Sequence, residues 1–332
     1  MSEGQQQMRI AFLDDYQSVA LDMADWSRLP DNVELVSFTD HAGGEDALVA
    51  RLSDFDAVCR VRERTPFPRS VLERLPRLKL LLATGIRNSR SIDLAAAEEL
   101  GITVCATGSH HFPTVEIVWG MVLSLFRGIH REHASLRAGG WQLSLSRCVR
   151  GKTIGILGLG RLGTPVAEIA RAFGMEVAAW SPNLTDERAA AAGARRVSKE
   201  ELFRDSDVVT IHMPESERSI GIVGAAEIAL MKPDAFLINT SRPGLVDQDA
   251  LLTALIERRI GGAGLDVFDI EPLPRDHPYR YLPNVLATPH IGFVIEENYR
   301  IYFGETLENV LAYLDGAPIR TLDASGEMKE RS

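Results

Sequence analysis

The chain has 332 residues, of which 45% are hydrophobic and 25% are charged, and its net charge is −10. This length predicts two domains of ordinary size, and the composition is typical of a globular chain that buries apolar cores. The acidic balance disfavours nucleic acid and anionic membrane surfaces as partners. It still allows a small anionic substrate, because an arginine pocket can form in an acidic protein.

Cysteine usage and the apolar segments indicate a cytoplasmic protein with no membrane partner. Cys59, Cys105 and Cys148 are scattered, form no C-x-x-C pair and are predicted to be reduced thiols. The first residues, MSEGQQQ, lack the basic and apolar regions of a signal peptide. The longest uncharged apolar run, Ile117 to Phe126, is too short to span a bilayer.

The first third of the chain alternates short apolar runs with helical patterns. This alternation predicts a parallel sheet covered by helices. The predicted strands are residues 8–14, 33–38, 56–61, 78–84 and 102–107, and the predicted helices between them include residues 45–52 and 91–100. A long helical pattern from Thr114 to about Arg137 follows and is closed by Gly139 and Gly140. Nothing in this first series resembles a glycine fingerprint for a dinucleotide.

A second series of strands and helices follows from Lys152. It begins with a strand at 152–157, a glycine turn, a helix at 164–173 and a strand at 176–180. Its later predicted strands are residues 207–213, 235–241, 262–268 and 284–290. A last helix is predicted at about 299–314. The chain is therefore predicted to form two α/β domains with parallel sheets.

The turn of the second series has the sequence Gly158-Leu159-Gly160-Arg161-Leu162-Gly163, which is G-x-G-x-x-G. The first glycine permits the tight turn, the second allows the backbone to approach a pyrophosphate, and the third packs helix on strand. The motif alone is weak, but here an apolar strand precedes it and a helix follows it. This context predicts a dinucleotide site, and the alternative is a tight glycine turn without a ligand.

An acid usually holds the ribose hydroxyls of NAD at the end of the next strand. Here that position is Ser181, followed by Pro182 and Asn183. Ser181 and Asn183 can form hydrogen bonds, but neither repels a 2′-phosphate, and the nearest downstream arginine is Arg188. The sequence therefore predicts that NAD and NADP are only weakly discriminated.

Three polar residues at strand ends or in loops supply the groups needed to reduce a 2-keto acid. Arg242 would bind the carboxylate through two N–H groups and polarise the neighbouring carbonyl. His290 would give a proton to the carbonyl oxygen, and Glu271 would orient the imidazole and stabilise its charged form. No metal is required, because Arg242 and a protonated His290 together stabilise the developing oxyanion. Each residue alone could equally be structural.

The second half resembles the NAD(P)-dependent D-isomer-specific 2-hydroxyacid dehydrogenases. The resemblance is carried by GLGRLG at 158–163, DVVTIHMP at 207–214, MKPDAFLINTSR at 231–242, LDVFDIEPLP at 265–274 and ATPHIG at 287–292. It implies that Arg242, Glu271 and His290 are the catalytic residues and that Asp266 binds the cofactor carboxamide. The cofactor-binding residues implied by the turn and the resemblance are Gly158, Gly160, Arg161, Leu162, Gly163, Ser181, Asn183, His212, Met213, Pro214, Thr240, Ser241, Asp266 and Gly292.

The resemblance also implies the domain arrangement. Residues 1–113 and 295–332 would form a flavodoxin-like substrate domain, and residues 114–294 a Rossmann cofactor domain inserted into it. The catalytic cleft would lie between the two domains, and a homodimer would form through the cofactor domain. Substrate would bind at a loop of the first domain, with Gly85, Ile86, Arg87 and Asn88 as the candidate residues beside Arg242 and His290.

Two places depart from the family pattern. The family usually has glycine directly after the catalytic arginine, whereas here Pro243 and Gly244 follow Arg242. The loop that begins at Thr84 matches the family's carboxylate-binding loop only in part. The substrate is therefore less well defined than the reaction type.

Two further groups of polar residues are candidates for anion or metal binding. Arg60, Arg62 and Arg64 alternate along a strand end, which favours solvated charges over contacts to an anionic substrate tail. His110 and His111 have no acidic or cysteine partner at ligand spacing, so a solvated loop is favoured over a metal site.

The favoured function is the reduction of a small 2-keto acid such as glyoxylate or hydroxypyruvate. A phosphoglycerate dehydrogenase without a regulatory domain is the alternative within the enzymes, since the chain ends about 40 residues after His290. Formate dehydrogenase is disfavoured, because that branch replaces the glutamate and Glu271 is present. A non-enzymatic NAD(H)-sensing protein, similar to the C-terminal-binding corepressors, is the alternative from another class.

Overall fold

The computed structural model describes residues 7–85 and 91–328, which divide into two units. One unit contains the chain up to His110 and from Ile295 onward, and the other is His111–Val294. Among the described residues the strands are β1 (Met8–Leu13), β2 (Val33–Ser37), β3 (Ala57–Arg60), β4 (Leu80–Ala83), β5 (Thr103–Ala106), β6 (Thr153–Leu157), β7 (Glu176–Trp180), β8 (Arg195–Arg196), β9 (Val208–Ile211), β10 (Phe236–Asn239), β11 (Gly262–Leu265) and β12 (Val285–Ala287).

The helices lie between these strands and at the end of the chain. In the described part they are α1 (Glu45–Leu52), α2 (Arg69–Leu72), α3 (Leu94–Glu99), α4 (Pro113–Arg127), α5 (Ile129–Arg137), α6 (Gly163–Ala172), α7 (Asp186–Ala191), α8 (Lys199–Asp205), α9 (Ala225–Leu230), α10 (Gln248–Ile256) and α11 (Glu296–Leu314). None of these helices is both long and apolar enough to cross a bilayer.

The first unit is built on a five-stranded parallel sheet with the order β2-β1-β3-β4-β5. This is the flavodoxin-like order, in which the chain starts near the middle and reverses direction once. The strands are short and almost continuously apolar because both faces are covered, as in β4, where all four residues are buried. The last helix, α11, returns to this unit and buries Tyr302 and Phe303 in it.

The second unit is built on a seven-stranded parallel sheet with the order β12-β11-β10-β9-β6-β7-β8. The strand order reverses between β9 and β6, which is the switch point where open α/β sheets bind ligands. Successive strand residues alternate between two apolar clusters on opposite faces. Ile156 packs in one cluster and Leu157 in the other, and Ile238 and Leu237 are divided in the same way.

The predicted fold class, two doubly wound parallel-sheet domains, is confirmed, while one predicted helix is wrong and one short strand was not predicted. The predicted helix from Thr114 to Arg137 is broken at Gly128, whose φ of +62° is left-handed and ends α4. The edge strand β8 consists of two exposed arginines, Arg195 and Arg196, which no hydrophobic pattern marks. β8 is recognised only by its backbone pairing with β7, which the folded chain brings beside it.

Candidate active site

The predicted site residues of the second unit gather at one edge of its sheet. Parallel strands end at the same edge, so residues that directly follow each strand lie side by side. Strands β10, β11 and β12 are adjacent, and after them come Arg242, Asp266 with Glu271, and His290. Arg242 follows β10 and His290 follows β12. One strand, β11, lies between them, so the axes of β10 and β12 are about 10 Å apart. The other side of the switch point carries the glycine turn after β6 and Ser181 after β7.

The glycine turn has the close packing that its sequence predicts. Gly158 has a φ of +106°, and a Cβ on it would stand 2.7 Å from the backbone oxygen of His212 and 2.9 Å from Cγ of Met213. A Cβ on Gly163 would stand 2.2 Å from the backbone oxygen of Gly158. By contrast, apart from Gly160 and its two neighbours in the chain, no described atom lies within 4 Å of the Cβ position at Gly160. The turn is therefore packed against protein at Gly158 and Gly163 and open at Gly160.

The residues of this turn fit a dinucleotide. The open side at Gly160 allows close approach of a pyrophosphate, and α6 begins at Gly163 with its N–H groups and positive dipole end at the turn. Two enclosed polar atoms also have no hydrogen-bond partner among the described residues, Nδ1 of His212 and Oγ1 of Thr240. Buried polar atoms of this kind are usually bonded, so both are suited to a ligand.

His212 is a half-buried residue whose ring is held by its own strand. Its Nε2 atom lies 2.9 Å from Oγ1 of Thr210, and its backbone N–H donates to Leu157 O. Burial lowers the pKa of His212 to about 4, so its ring is neutral at ordinary pH. Pro214, the third residue of the predicted cofactor loop, accepts a hydrogen bond from the hydroxyl of Ser219 through its carbonyl oxygen.

Ser181 contacts the glycine turn directly. Its hydroxyl oxygen accepts a hydrogen bond of 3.0 Å from the backbone N–H of Leu159. Asn183 is exposed, and its carbonyl oxygen accepts from a guanidinium nitrogen of Arg188 at 3.3 Å. The chain therefore folds Arg188 back toward the end of β7, although five residues separate it from Asn183. Two other predicted residues lie in the glycine turn. Arg161 is exposed there, and Leu162 is partly buried.

The end of β10 fixes the backbone at Arg242. The side chain of Asn239 accepts from the N–H of Ser241 at 3.0 Å and donates to the carbonyl oxygen of Arg242 at 2.8 Å. Ser241 donates its hydroxyl to Ile211 O at 2.7 Å, which ties β10 to β9. One of the five guanidinium N–H groups of Arg242 donates to Ser241 O at 2.6 Å.

The side chains of His290 and Glu271 form a hydrogen-bonded pair. Nδ1 of His290 lies 2.7 Å from Oε2 of Glu271, and the second carboxylate oxygen of Glu271 accepts from the N–H of Phe268 at 2.9 Å. The two side chains are 14% and 25% exposed, so water screens the pair only partly. The ring of His290 also meets Phe293 edge to face, at a centroid distance of 5.5 Å. The imidazole is thus held by contacts to two other residues.

The loop that carries His290 is strained and tightly held. His290 has a φ of +51°, in the left-handed region that few residues other than glycine adopt. The buried carboxylate of Asp266 accepts from the N–H of Ile291 at 2.9 Å, from the N–H of Gly292 at 2.8 Å and from the hydroxyl of Thr288 at 2.6 Å. Two of these donors are backbone N–H groups directly after His290, and the third is a side-chain hydroxyl two residues before it.

Burial raises the pKa of Asp266, and its three donors act in the opposite direction. Oδ1 takes two of these hydrogen bonds and Oδ2 takes one, which leaves acceptor capacity on Oδ2. A Cβ on Gly292 would stand 3.0 Å from Oδ2 of Asp266, so glycine permits the close approach of this loop.

In the first unit, the predicted substrate loop falls partly outside the described residues. Ile86, Arg87 and Asn88 lie outside them, and Gly85 is described. Gly85 is buried with a φ of +82°, and its N–H donates to the hydroxyl of Thr107 at 3.0 Å. This N–H is therefore used within the protein, and Gly85 serves as the turn that begins the loop.

The prediction that Arg60, Arg62 and Arg64 are solvated charges is wrong. The side chain of Arg62 is only 15% exposed, and Arg64 donates to Asp14 O at 2.8 Å. Arg60 departs furthest from the prediction. Its side chain is fully buried and donates to Thr65 O at 3.0 Å and to the hydroxyl of Ser91 at 2.6 Å. Burial lowers the pKa of Arg60 to about 10. The guanidinium joins two loops at the end of the first sheet, which the alternation of charges could not reveal.

Within residues 7–85 and 91–328, no group of three histidine, cysteine, aspartate or glutamate side chains is placed to hold a metal ion. The three cysteines are free thiols, of which Cys59 and Cys105 are buried and Cys148 is exposed.

Sequence reasoning missed residues that act through the backbone. Asn239, Thr288 and Glu215 lie in or beside the quoted motifs, yet their partners are 2 to 29 residues away and are known only from the folded chain. The asparagine that directly follows the apolar part of β10 was the available signal for a cap at that strand end.

Comparison with known proteins identifies the family. Residues 119–292 match the NAD-binding domain of the D-isomer specific 2-hydroxyacid dehydrogenases. The chain is 35% identical over 283 residues to the D-3-phosphoglycerate dehydrogenase of Methanocaldococcus jannaschii, across 80% of this chain and 53% of that protein. It thus spans about half the length of that relative. It is 36% identical over 258 residues to the glyoxylate reductase of Aeropyrum pernix, across 74% of this chain and 76% of that protein.

The fold agrees with that of a solved relative over nearly the whole chain. A putative D-3-phosphoglycerate dehydrogenase from Ralstonia solanacearum superposes with a TM-score of 0.89 at 36% identity, covering 96% of this chain and 98% of that one. The matched segment contains the glycine turn, Arg242, the Glu271–His290 pair and the loop held by Asp266. On this evidence the chain belongs to the D-isomer specific 2-hydroxyacid dehydrogenase family.

Proposed function

We propose that this chain is a nicotinamide-dependent oxidoreductase that interconverts a small 2-keto acid and the corresponding D-2-hydroxy acid. The observation that carries the proposal is the 2.7 Å contact between Nδ1 of His290 and Oε2 of Glu271. A carboxylate on Nδ1 fixes the proton of the imidazole on that side and stabilises the ring when it is charged. Nε2 is then the atom that exchanges a proton with the substrate oxygen.

The roles of the residues follow from their chemistry. When bound, the nicotinamide cofactor supplies the hydride in reduction or accepts it in oxidation. His290 donates a proton from Nε2 to the carbonyl oxygen during reduction and removes it from the hydroxyl during oxidation. Arg242 binds the substrate carboxylate and stabilises negative charge on the neighbouring oxygen. Asp266 keeps His290 in place through the backbone of residues 291 and 292.

The cofactor would be held by the second unit. We assign residues 114–294 to a cofactor domain and residues 1–113 with 295–332 to a substrate domain. The glycine turn, with its open side at Gly160, would take the pyrophosphate. The unpartnered Oγ1 of Thr240 and Nδ1 of His212, together with the remaining acceptor position on Asp266, are polar atoms suited to the nicotinamide end.

We propose that both NADH and NADPH are used, with weak preference. The residue after β7 is Ser181 rather than an acid, and its hydroxyl oxygen is already an acceptor for Leu159. This side chain supports the turn and presents no negative charge to a 2′-phosphate. The guanidinium of Arg188, which donates to Asn183 O, is a cation on the same side.

We propose that two copies of the chain associate through the second unit. Residues 129–145, here called the 129–145 segment, carry several exposed apolar side chains. Trp141 is 74% exposed and Leu145 is fully exposed, and Ile129, Leu136 and Leu143 are each more than half exposed. A concentration of apolar side chains of this kind is typical of a protein interface. Light scattering of the Leu145→Glu variant should give half the native mass, whereas Ile256→Glu, a change at an exposed residue elsewhere in the unit, should leave the mass unchanged.

The substrate class is tested with a panel of keto acids. Glyoxylate, hydroxypyruvate, pyruvate and 3-phosphohydroxypyruvate are each assayed with NADH and with NADPH. We expect turnover of glyoxylate or hydroxypyruvate. A clear preference for 3-phosphohydroxypyruvate would instead assign phosphoglycerate dehydrogenase activity. Absence of turnover across the panel, with NADH still bound, would favour a dinucleotide-sensing role.

A further inference from the structure

Two loops of the second unit are joined by a contact between Glu215 and Gly244. The N–H of Gly244 donates to Oε2 of Glu215 at 3.1 Å, across 29 residues of sequence. Glu215 directly follows the loop of His212 and Pro214, on the proposed cofactor side. Gly244 lies two residues after Arg242, the proposed carboxylate clamp. The contact therefore links a segment on the cofactor side with a segment on the substrate side.

Because a proline follows Arg242, the contact at Gly244 uses the first backbone N–H after Arg242. Pro243 has no backbone N–H, so Gly244 supplies the first N–H after Arg242. That donor goes to a carboxylate, which forms stronger hydrogen bonds than a neutral acceptor. The turn at 243–245 is thus fixed from outside, by a side chain of another loop.

The absence of a side chain at Gly244 permits this contact. A Cβ at this position would stand 2.6 Å from Oε2 and 3.0 Å from Cδ of Glu215. The carboxylate can therefore approach only because residue 244 has no side chain. A methyl group here would push the carboxylate away from the N–H that it binds.

The two loops are also joined by backbone hydrogen bonds beyond Gly244. Gly221 N donates to Gly244 O at 2.8 Å, and Val223 N donates to Leu245 O at 3.0 Å. The carbonyl oxygen of Arg242 itself accepts a hydrogen bond of 2.8 Å from the side chain of Asn239. Two side chains therefore hold the backbone here. Asn239 binds the carbonyl oxygen of Arg242, and Glu215 binds the N–H of Gly244, two residues later.

We propose that Glu215 is a positioning residue that fixes the turn after Arg242 and so directs the guanidinium toward the substrate carboxylate. The proposal rests on the proposed function, in which Arg242 binds a 2-keto acid. Glu215 acts through Gly244 and does not contact the substrate.

The first experiment compares Glu215→Ala with Glu215→Gln and with Glu217→Ala, a control at an exposed residue of the same loop. Loss of a hydrogen bond to a charged group corresponds to about a tenfold effect, so Glu215→Ala should raise the KM for glyoxylate or hydroxypyruvate by about that factor. Glu215→Gln keeps an acceptor oxygen and should recover most of the loss. The control should stay within about twofold of the native value, as is usual for surface changes.

Two further readouts separate positioning from a general loss of structure. The Kd for NADH, measured by fluorescence without any keto acid, should change by no more than about twofold in Glu215→Ala. Hydrogen exchange of a peptide that contains Gly244 should be faster in Glu215→Ala and close to native in Glu215→Gln. A change in NADH binding equal to the change in KM would contradict the positioning role.

A double-variant cycle tests the contact itself. Gly244→Ala should raise the keto-acid KM in the native background, because its methyl group displaces the Glu215 carboxylate. In the Glu215→Ala background the same change should add little, since the group that it displaces is absent. Fully additive effects of the two changes would overturn the proposal.

Keto-acid turnover by the native protein distinguishes a failure of this proposal from a failure of the proposed function. If the native protein reduces keto acids and Arg242→Lys raises KM while Glu215→Ala does not, Glu215 has no positioning role. If the native protein reduces no keto acid but binds NADH, the proposed function itself is wrong.

Discussion

The Nδ1 atom of His290 lies 2.7 Å from Oε2 of Glu271, and the two residues stand on loops that follow the adjacent strands β12 and β11. The sheet thus brings together an acid and a base that are 19 residues apart in sequence. The same sheet places Arg242 after the next strand, β10. In the proposed function, His290 donates the proton and Arg242 binds the substrate carboxylate, and both residues follow strands that end at the same edge of the sheet.

Replacement of Glu271 by glutamine should lower the rate of keto-acid reduction. Glutamine can still accept the hydrogen bond from Nδ1 of His290 but carries no negative charge, so it holds the imidazole less firmly. We expect kcat to fall by about tenfold, the effect of losing one charge-assisted hydrogen bond, while the Kd for NADH stays close to native. The measurement is kcat and KM for keto-acid reduction at a single pH. A native kcat in Glu271→Gln would contradict the pairing of the two residues in catalysis.

Arg242→Lys tests the carboxylate clamp. Lysine keeps the positive charge but lacks the planar pair of N–H donors that bind a carboxylate. The KM for the keto acid should rise by about tenfold or more, which corresponds to the loss of one charge-assisted hydrogen bond. The Kd for NADH should remain close to native. Normal KM in this variant would remove Arg242 from the substrate site.

Cofactor preference should respond to charge at the end of β7. Ser181→Asp would add a carboxylate where the adenosine ribose is proposed to bind, which would repel a 2′-phosphate and should shift preference toward NADH. Arg188→Ala should weaken NADPH more than NADH. Equilibrium binding of both reduced cofactors to the native protein and to each variant gives the ratio. A native preference for NADH above about a thousandfold, or roughly 4 kcal/mol, would contradict the prediction of weak discrimination.

The first unit should contain a pH-dependent contribution to stability. The hydrogen bond from His41 to Asp14, 2.8 Å long, raises the pKa of His41 above its ordinary value of 6.5. A raised folded-state pKa contributes stability that is fully present below about pH 6.5 and is lost as pH rises through the folded-state value. His41→Gln should therefore destabilise the protein by about 1 kcal/mol more at pH 5.5 than at pH 8.5.

Denaturant unfolding at the two pH values measures this difference. The control is His110→Gln, because the His110 side chain is exposed in the same unit. Equal destabilisation by His41→Gln at both pH values would show that the pair with Asp14 makes no charge-dependent contribution.

The sequence predicted the strands well because parallel strands covered on both faces are continuous apolar runs. It placed strands near β1, β6 and β10, and helix α1 matched in full at Glu45–Leu52. The break at Gly128 was missed because a single glycine within an apolar periodic pattern is compatible with a continuous helix. The strand β8 was missed because its two arginines are exposed.

The candidate site was predictable where a residue type itself carries the chemistry. Arg242, Glu271 and His290 each follow an apolar strand, and the sheet brings Glu271 and His290 into contact. Residues that act through backbone contacts were not predictable, because a carboxylate such as Glu215 reveals its partner only when a loop 29 residues away folds against it. The same holds for Ser181, whose bond to Leu159 spans 22 residues.

The most direct test of the central claim is the rate of glyoxylate and hydroxypyruvate reduction by the native protein and by His290→Ala, with NADH at saturation. The account predicts measurable turnover in the native protein and a decrease in kcat of roughly 10²–10⁴ in the variant, the usual contribution of a general acid. NADH binding should be retained in the variant, since His290 is proposed to exchange its proton with the substrate and not to bind the cofactor. Equal turnover by the two proteins, or no turnover by the native protein with either keto acid, would contradict the account.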